Sequence, residues 1–330
     1  MKHRAECGCL AVAAALLCAV VLSLCLGAVP LSLPALWEAV RRGAQDTAGY
    51  IFWYSRLPRT GACVLAGAAL AVSGCILQGV LGNRLVSPGI LGINAGAGLA
   101  VTVCCAWGVV SGWVYSCAAF GGALAAVAAV MLLARKTGAS RSTVLLSGVA
   151  INSILNALRD AVTTLVPDAA ALGSDFRTGG FSAVSLPRLL PAAALIAPAL
   201  AAAFCLSTEL ELLGLGEETA QSLGLPVRRT HAALLALAAV LAGAAVSFAG
   251  LLSFVGLMVP HMVRQLTGSE CRRALPLCAL GGALLVTVCD LLSRLVFAPF
   301  ELPVGIVISI LGGPFFLALL LRRRGGTRHA

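Results

Sequence analysis

Uninterrupted apolar runs of about 20 residues recur along this chain, each long enough to cross a ~30 Å hydrocarbon layer as a helix. In lipid, backbone polar groups are satisfied only inside helices or closed barrels. The runs are continuous rather than alternating with period two, which argues against a β-barrel. Only 11% of the 330 residues are charged and 60% are hydrophobic, against roughly 25% charged in soluble domains. The sequence describes an all-α integral membrane protein built as a single transmembrane domain over residues 1–330.

Ten runs are expected to span the membrane: 7–29, 61–81, 88–110, 112–134, 143–166, 187–206, 231–250, 252–266, 274–297 and 303–321. The first follows Lys2, His3 and Arg4. It reads as a span rather than a signal peptide, because it exceeds a typical signal core and no Ala-x-Ala cleavage site stands out. Both ends are basic, the far one through Arg322, Arg323, Arg324 and Arg328. The positive-inside rule then puts both termini in the cytoplasm, which requires an even number of spans. On this pattern fifteen Lys and Arg fall in inner segments and seven in outer ones, with Arg159 near the outer end of the fifth span. The net charge of +10 thus reflects topology and contact with anionic membrane lipid, and implies no nucleic-acid partner.

No enzyme signature is present. The chain lacks a G-x-x-x-x-G-K-[ST] phosphate loop and an H-E-x-x-H pair, so ATP hydrolysis by a phosphate loop of its own is excluded. Its thirteen cysteines include no Cys-x-x-Cys, and most fall in apolar runs where a reduced thiol acts as a small packing residue. No cofactor or metal is expected on this chain. Glycine is abundant at 36 residues, which suits helices that approach closely.

Against this background the segment Thr208–Arg229 stands out, with four acids and a basic end between two spans. Glu217 and Glu218 favour the positive end of a new helix, Gly224 suits its stop, and Pro226 prevents continuation. A helix of about two turns is below the roughly 12–15 residues that stand alone in water. It must rest on this protein's own surface or on another chain.

Other polar groups sit where lipid exposure would be costly. Gln78 lies in the second span, and Asn83-Arg84-Leu85-Val86-Ser87-Pro88 breaks the chain before the third. A gate and a packed turn both fit this break. His261, after Pro260 in the eighth span, reads as packing before proton relay. On the outer side, Arg56 and Arg59 flank the mouth of the second span, and Asp290 and Arg294 are spaced i, i+4. These fit either interfacial snorkelling with a weak exposed ion pair, or a basic ring that meets acidic groups on a partner.

Taken in order, the motifs resemble the FecCD-type ABC permeases. They are Arg56-Leu57-Pro58-Arg59, Gly74-x-x-x-Gln78, Asn83-x-Leu85-x-x-Pro88, Leu146-Ser147-Gly148-Val149-Ala150 and Gly179-Gly180-Phe181-Ser182. Then come Phe254-Val255-Gly256-Leu257-x-x-Pro260-His261-x-x-Arg264, Asp290-Leu291-Leu292-Ser293-Arg294, Glu301-Leu302-Pro303-Val304-Gly305-Ile306 and Gly312-Gly313-Pro314-Phe315-Phe316. The resemblance implies a type II ABC importer permease in a bacterial cell membrane, carrying ferric siderophore first, with haem or cobalamin as alternatives. It implies a second permease subunit, same or homologous, with the path at the interface. It further implies two ATPase subunits holding ATP and Mg, and an extracytoplasmic substrate-binding protein.

On this resemblance the loop at about 208–230 carries the coupling helix, with Leu215, Gly216, Glu217, Glu218, Ala220, Leu223 and Gly224 meeting the ATPase. Arg56, Arg59 and Arg294 match positions that pair with acids of the binding protein. Gln78, Asn83, Leu85, Ser142 and His261 are the candidate gate and path residues. Two departures stand out: Arg84 replaces the usual proline, and Phe176-Arg177-Thr178-Gly179-Gly180 replaces the usual Trp-x-x-Gly-Ser. An ion-coupled secondary transporter would carry intramembrane acids, yet only Asp160 and Asp290 come close. A membrane-embedded enzyme would need a catalytic cluster that the sequence does not supply.

Overall fold

Each expected span coincides with a helix, and small residues decide how closely the helices pack. The computed structural model describes residues 2–27, 29–109, 111–136, 141–268, 270–296, 298 and 300–325. In chain order they form α1 (Lys2–Cys25), α2 (Leu33–Arg42), α3 (Thr47–Ile51), a π-helical turn (Phe52–Arg56) and α4 (Leu57–Val80). A 3-10 turn (Pro88–Leu91) precedes α5 (Ile93–Ala106), α6 (Gly112–Lys136), α7 (Arg141–Leu165), α8 (Pro167–Leu172) and α9 (Ser174–Thr178). The chain continues through α10 (Leu186–Cys205), α11 (Ser207–Gly214), α12 (Glu217–Ser222) and α13 (Val227–Ala249). It closes with α14 (Val255–Thr267), α15 (Cys271–Leu295) and α16 (Val304–Gly325).

Among the described residues six helical stretches are long and apolar enough to cross a membrane: Gly8–Cys25, Thr47–Val80, Gly112–Lys136, Leu186–Cys205, Val227–Ala249 and Cys271–Leu295. Ile93–Ala106 and Val304–Leu319 are shorter apolar helices. The other two expected spans fall on α7 and α14. The first carries Ser153, Asn156, Arg159 and Asp160 among its apolar residues, and the second has only 13 residues, about 20 Å of helix.

The connector after α1 folds further than its composition suggests. Ser32 caps α2 through Ala35 N, at 3.4 Å, and Asp46 Oδ1 accepts from Gly49 N at 2.7 Å to start α3. Leu31, Ala39 and Phe52 form a small separate core there, closed by Trp53 Nε1 donating to Ala39 O at 3.0 Å.

α4 is the axis of the molecule. Of its apolar window 83% is buried, against 11% for α1, and it packs on α13, α14 and α15. Gly, Ala, Ser, Cys, Thr and Pro make up 14 of its 24 residues, and at the glycines backbones meet directly. A Cβ placed on Gly67 would strike the carbonyl of Gly282, and one on Gly282 would strike that of Gly67; Gly74 stands likewise against Gly256. Gly67→Val is therefore expected to lower the thermal unfolding temperature sharply in detergent. The cost should exceed the ~1–3 kcal/mol of ordinary overpacking, since the obstacle is main chain rather than a movable side chain. Gly121→Val, whose Cβ would meet open space, is the matched control and should change little.

Irregular backbone between α13 and α14 is satisfied by other breaks. Gly180 N donates to Ala249 O at 2.9 Å, Leu251 N to Phe176 O at 2.9 Å, and Gly305 N to Gly179 O at 3.1 Å. Phe254 takes a left-handed conformation, φ 63°, to start α14, and its ring lies against Gly312 of α16.

Candidate functional site

A short helix forms between α11 and α13, as the acids, Gly224 and Pro226 predict, but with six residues it is shorter than the two turns read from sequence. Gly216, at φ 112°, turns the chain into α12, whose first turn holds Glu217 and Glu218. Gly224, at φ 87°, ends it, with Gly224 N donating to Gln221 O at 3.0 Å and Leu225 N to Ala220 O at 3.0 Å. The helix rests on its own chain through Ala220, at 0% exposure, and packs on α11 and α13. Ala220 thus faces inward and is corrected as a contact for a partner. Leu215 and Leu223 remain 62% and 60% exposed, and Glu218 is exposed. Arg141, at the start of α7, pairs with Glu217 at 3.2 Å and donates to Leu213 O at 3.2 Å, which ties the loop to a membrane helix.

The break after α4 is a packed turn. Asn83 Oδ1 accepts from Leu85 N at 3.0 Å, a local turn that commits the Asn side chain. Leu85 is half-buried and Arg84 exposed. Gln78 is buried, and its Nε2 lies 3.3 Å from Val86 O and 3.4 Å from Gly256 O, while Oε1 has no partner. Asn152 of α7 donates to Gly89 O at 2.9 Å and Ile90 O at 3.0 Å, a brace that no spacing in the sequence signals. Ser142 lies apart, lining an open cavity of about 390 Å³ on α7 with Leu146 and Ala150. His261 meets Phe315 of α16 edge-on, with ring centroids 6.0 Å apart. Gln78, Asn83 and Leu85 thus share one region, while Ser142 lines the cavity on α7 and His261 packs on α16.

The arginines expected on the outer side are not a free basic ring. Asp290 has 0% exposure and is clamped by Arg59 Nε and Arg294 Nε, each at 3.0 Å. The Asp290–Arg294 pair is therefore buried, which corrects the expectation of a weak exposed one. Arg294 also donates to Ser23 Oγ at 2.8 Å and Leu26 O at 3.2 Å, and Ser23 Oγ lies 2.9 Å from Thr60 Oγ1. Arg56, 6% exposed, donates to Leu26 O, and to Val29 O at 3.2 Å. Only Arg59 reaches the rim, where Nη1 holds Glu301 at 2.7 Å; that carboxylate is 42% exposed. The cluster rivets α1, α4 and α15 together at one end. Ser23, Thr60 and Glu301 were not singled out from sequence, because no spacing rule links residues so far apart in the chain.

A model of the FecCD transport family matches residues 15–322. The chain belongs to the FecCD transport family. Among curated relatives of this FecCD chain, the hemin transport system permease protein HmuU of Yersinia pestis is 37% identical over 305 residues, covering 91% of this chain and 90% of the relative. The Fe(3+) dicitrate transport system permease protein FecD of Escherichia coli is 36% identical over 311 residues, covering 92% and 94%. The vitamin B12 import system permease protein BtuC of Klebsiella pneumoniae is 38% identical over 322 residues, covering 94% and 92%. A solved metal-chelate type ABC transporter in an inward-facing conformation superposes with TM-score 0.85 at 25% identity, over 95% of this chain and 98% of that one. PsaBC from Streptococcus pneumoniae, at 16% identity and TM-score 0.60, shares the fold alone. The FecCD chain is thus a multi-pass membrane permease with the fold of an ABC transporter permease.

Proposed function

We propose that this chain is the permease half of an ATP-driven importer of metal chelates, working by alternating access between two permease subunits in a bacterial cell membrane. All ten helical runs would span, with both termini in the cytoplasm, as the Lys and Arg bias requires. The observation that carries the reading is the α11–α12 loop. It presents two large exposed apolar side chains, Leu215 and Leu223, one at either end of a short helix fixed from beneath by Ala220 and from the side by Arg141. That is the form of a surface built to seat in another protein, here one of two ATPase subunits that hold ATP and Mg.

At the opposite end, the rim formed by Arg59 and Glu301 would receive a substrate-binding protein. Arg56 and Arg294 would join only by leaving their present partners. Substrate would pass between subunits, with the turn at Gln78, Asn83 and Leu85 and the residues Ser142 and His261 as its wall and gates. Ferric siderophore is the first cargo; haem is the second reading, favoured by the hemin permease among the relatives, and cobalamin the third.

Uptake of labelled ferric siderophores, haem and cobalamin in a strain lacking the chain tests this. Loss of one of the three is expected, with recovery when the chain is restored and no recovery when the ATPase has been deleted as well. Unchanged uptake of all three would sink the cargo assignment. Uptake driven by an ion gradient without any ATPase would sink the importer mechanism.

A further inference from the structure

A cavity of about 580 Å³ opens where α6 ends, α13 begins and α12 crosses beneath them. The stretches ending at Lys136 and starting at Val227 are both membrane-spanning candidates, so the cavity lies where two spans leave the hydrocarbon layer. Three exposed arginines line it: Arg135 from the last turn of α6, and Arg228 and Arg229 from the first turn of α13. Glu217 is the one acidic side chain in the lining, and it is paired with Arg141. His231 also lines the cavity, and its buried Nε2 has no hydrogen-bond partner.

Placing Arg228 and Arg229 at the start of α13 sets cations against the positive end of that helix, where an anion is favoured. Pro226 supplies no capping side chain, and the first turn holds no acid. Positive charge from three sources therefore converges, and Glu217, the single carboxylate in the lining, is already engaged by Arg141. The inner wall is apolar, formed by Met131, Val144 and Leu235.

A soluble phosphate has no use for that wall, whereas a lipid needs both parts. We propose that this cavity binds one anionic phospholipid, its phosphate held by Arg135, Arg228, Arg229 and His231 and an acyl chain laid against Met131, Val144 and Leu235. Because Glu217 and Gln221 of α12 share the lining, the bound lipid would also steady the coupling helix.

Native mass spectrometry of the full chain in neutral detergent tests this, titrating dioleoyl phosphatidylglycerol against dioleoyl phosphatidylcholine. One phosphatidylglycerol should be retained with about tenfold preference, a difference of ~1.4 kcal/mol. The triple variant Arg135→Gln/Arg228→Gln/Arg229→Gln should lose that preference while keeping its helical content, since all three side chains are exposed. Arg272→Gln/Arg273→Gln, at the start of α15, should keep it. Equal retention of the two lipids, or a preference that survives the triple variant, overturns the proposal. Displacement by millimolar inorganic phosphate would make this a soluble-phosphate site. Displacement by an added ATPase subunit would make it a protein interface. Either result overturns the lipid assignment without touching the transport reading.

Discussion

Asp290→Ala is expected to abolish transport and to lower the unfolding temperature of the detergent-solubilised chain more than any single change at the rim. Asp290 is fully buried and, among the described residues, is the only carboxylate paired with Arg294, and it also holds Arg59. Removing it leaves guanidinium groups enclosed without a counter-charge, an effect of about 3–5 kcal/mol. Glu301→Gln removes the other carboxylate of the cluster but should cost no more than ~1 kcal/mol, because that group is 42% exposed and water replaces the pair. Replacing both members of the deepest pair, Asp290→Leu with Arg294→Met, should recover much of the loss, since apolar groups of similar volume need no partner. Thermal unfolding of the four chains, followed by helical signal, separates these cases. If Asp290→Ala unfolds at the original temperature, the cluster does not hold the helices together.

Leu215→Asp combined with Leu223→Asp is expected to stop uptake while leaving the membrane helices intact. Both side chains are exposed on a segment anchored by Ala220, so the change touches neither the loop's footing nor the core. Buried apolar anchors at a protein interface are worth about 2 kcal/mol or more each, so losing both should lower affinity for an ATPase partner by roughly a thousandfold. Pull-down of the ATPase by the tagged permease, with ATP hydrolysis measured in the same vesicles, reads this directly. Glu217→Lys should act differently, by repelling Arg141 at 3.2 Å and loosening the loop from α7. Glu218→Lys, which is exposed, reports on the partner alone. Normal ATPase capture by the double Asp variant would remove Leu215 and Leu223 from the interface.

The helices were legible because burial in lipid demands long apolar runs, and a run declares itself in sequence. The expected start at 187 stands one residue from Leu186, and the expected start at 231 falls within the first turns of α13. The connector at 33–51 was not read, although Ser32-Leu33-Pro34 and Asp46 are ordinary capping signals. Its helices are too short and too polar to register as spans. The coupling helix was legible from its acids, Gly224 and Pro226, but the side it presents was not. On six residues an alanine belongs equally to either face until the underlying surface is known. The Arg59–Asp290 contact was illegible for a different reason: 231 residues separate the partners, and each alone looked like an interfacial charge.

The meeting of Gly67 with Gly282, and of Gly74 with Gly256, has a mechanical meaning. Where side chains interdigitate, a helix can slip by exchanging rotamers. Where a facing carbonyl occupies the place of a missing Cβ, a slip of one residue, about 1.5 Å, brings a Cβ into main chain. α4, α14 and α15 are thus keyed together like a shaft in its slot. A pull on the loop at Leu215 would turn the whole block as a lever, and the opening would fall at its outer boundary rather than through its middle.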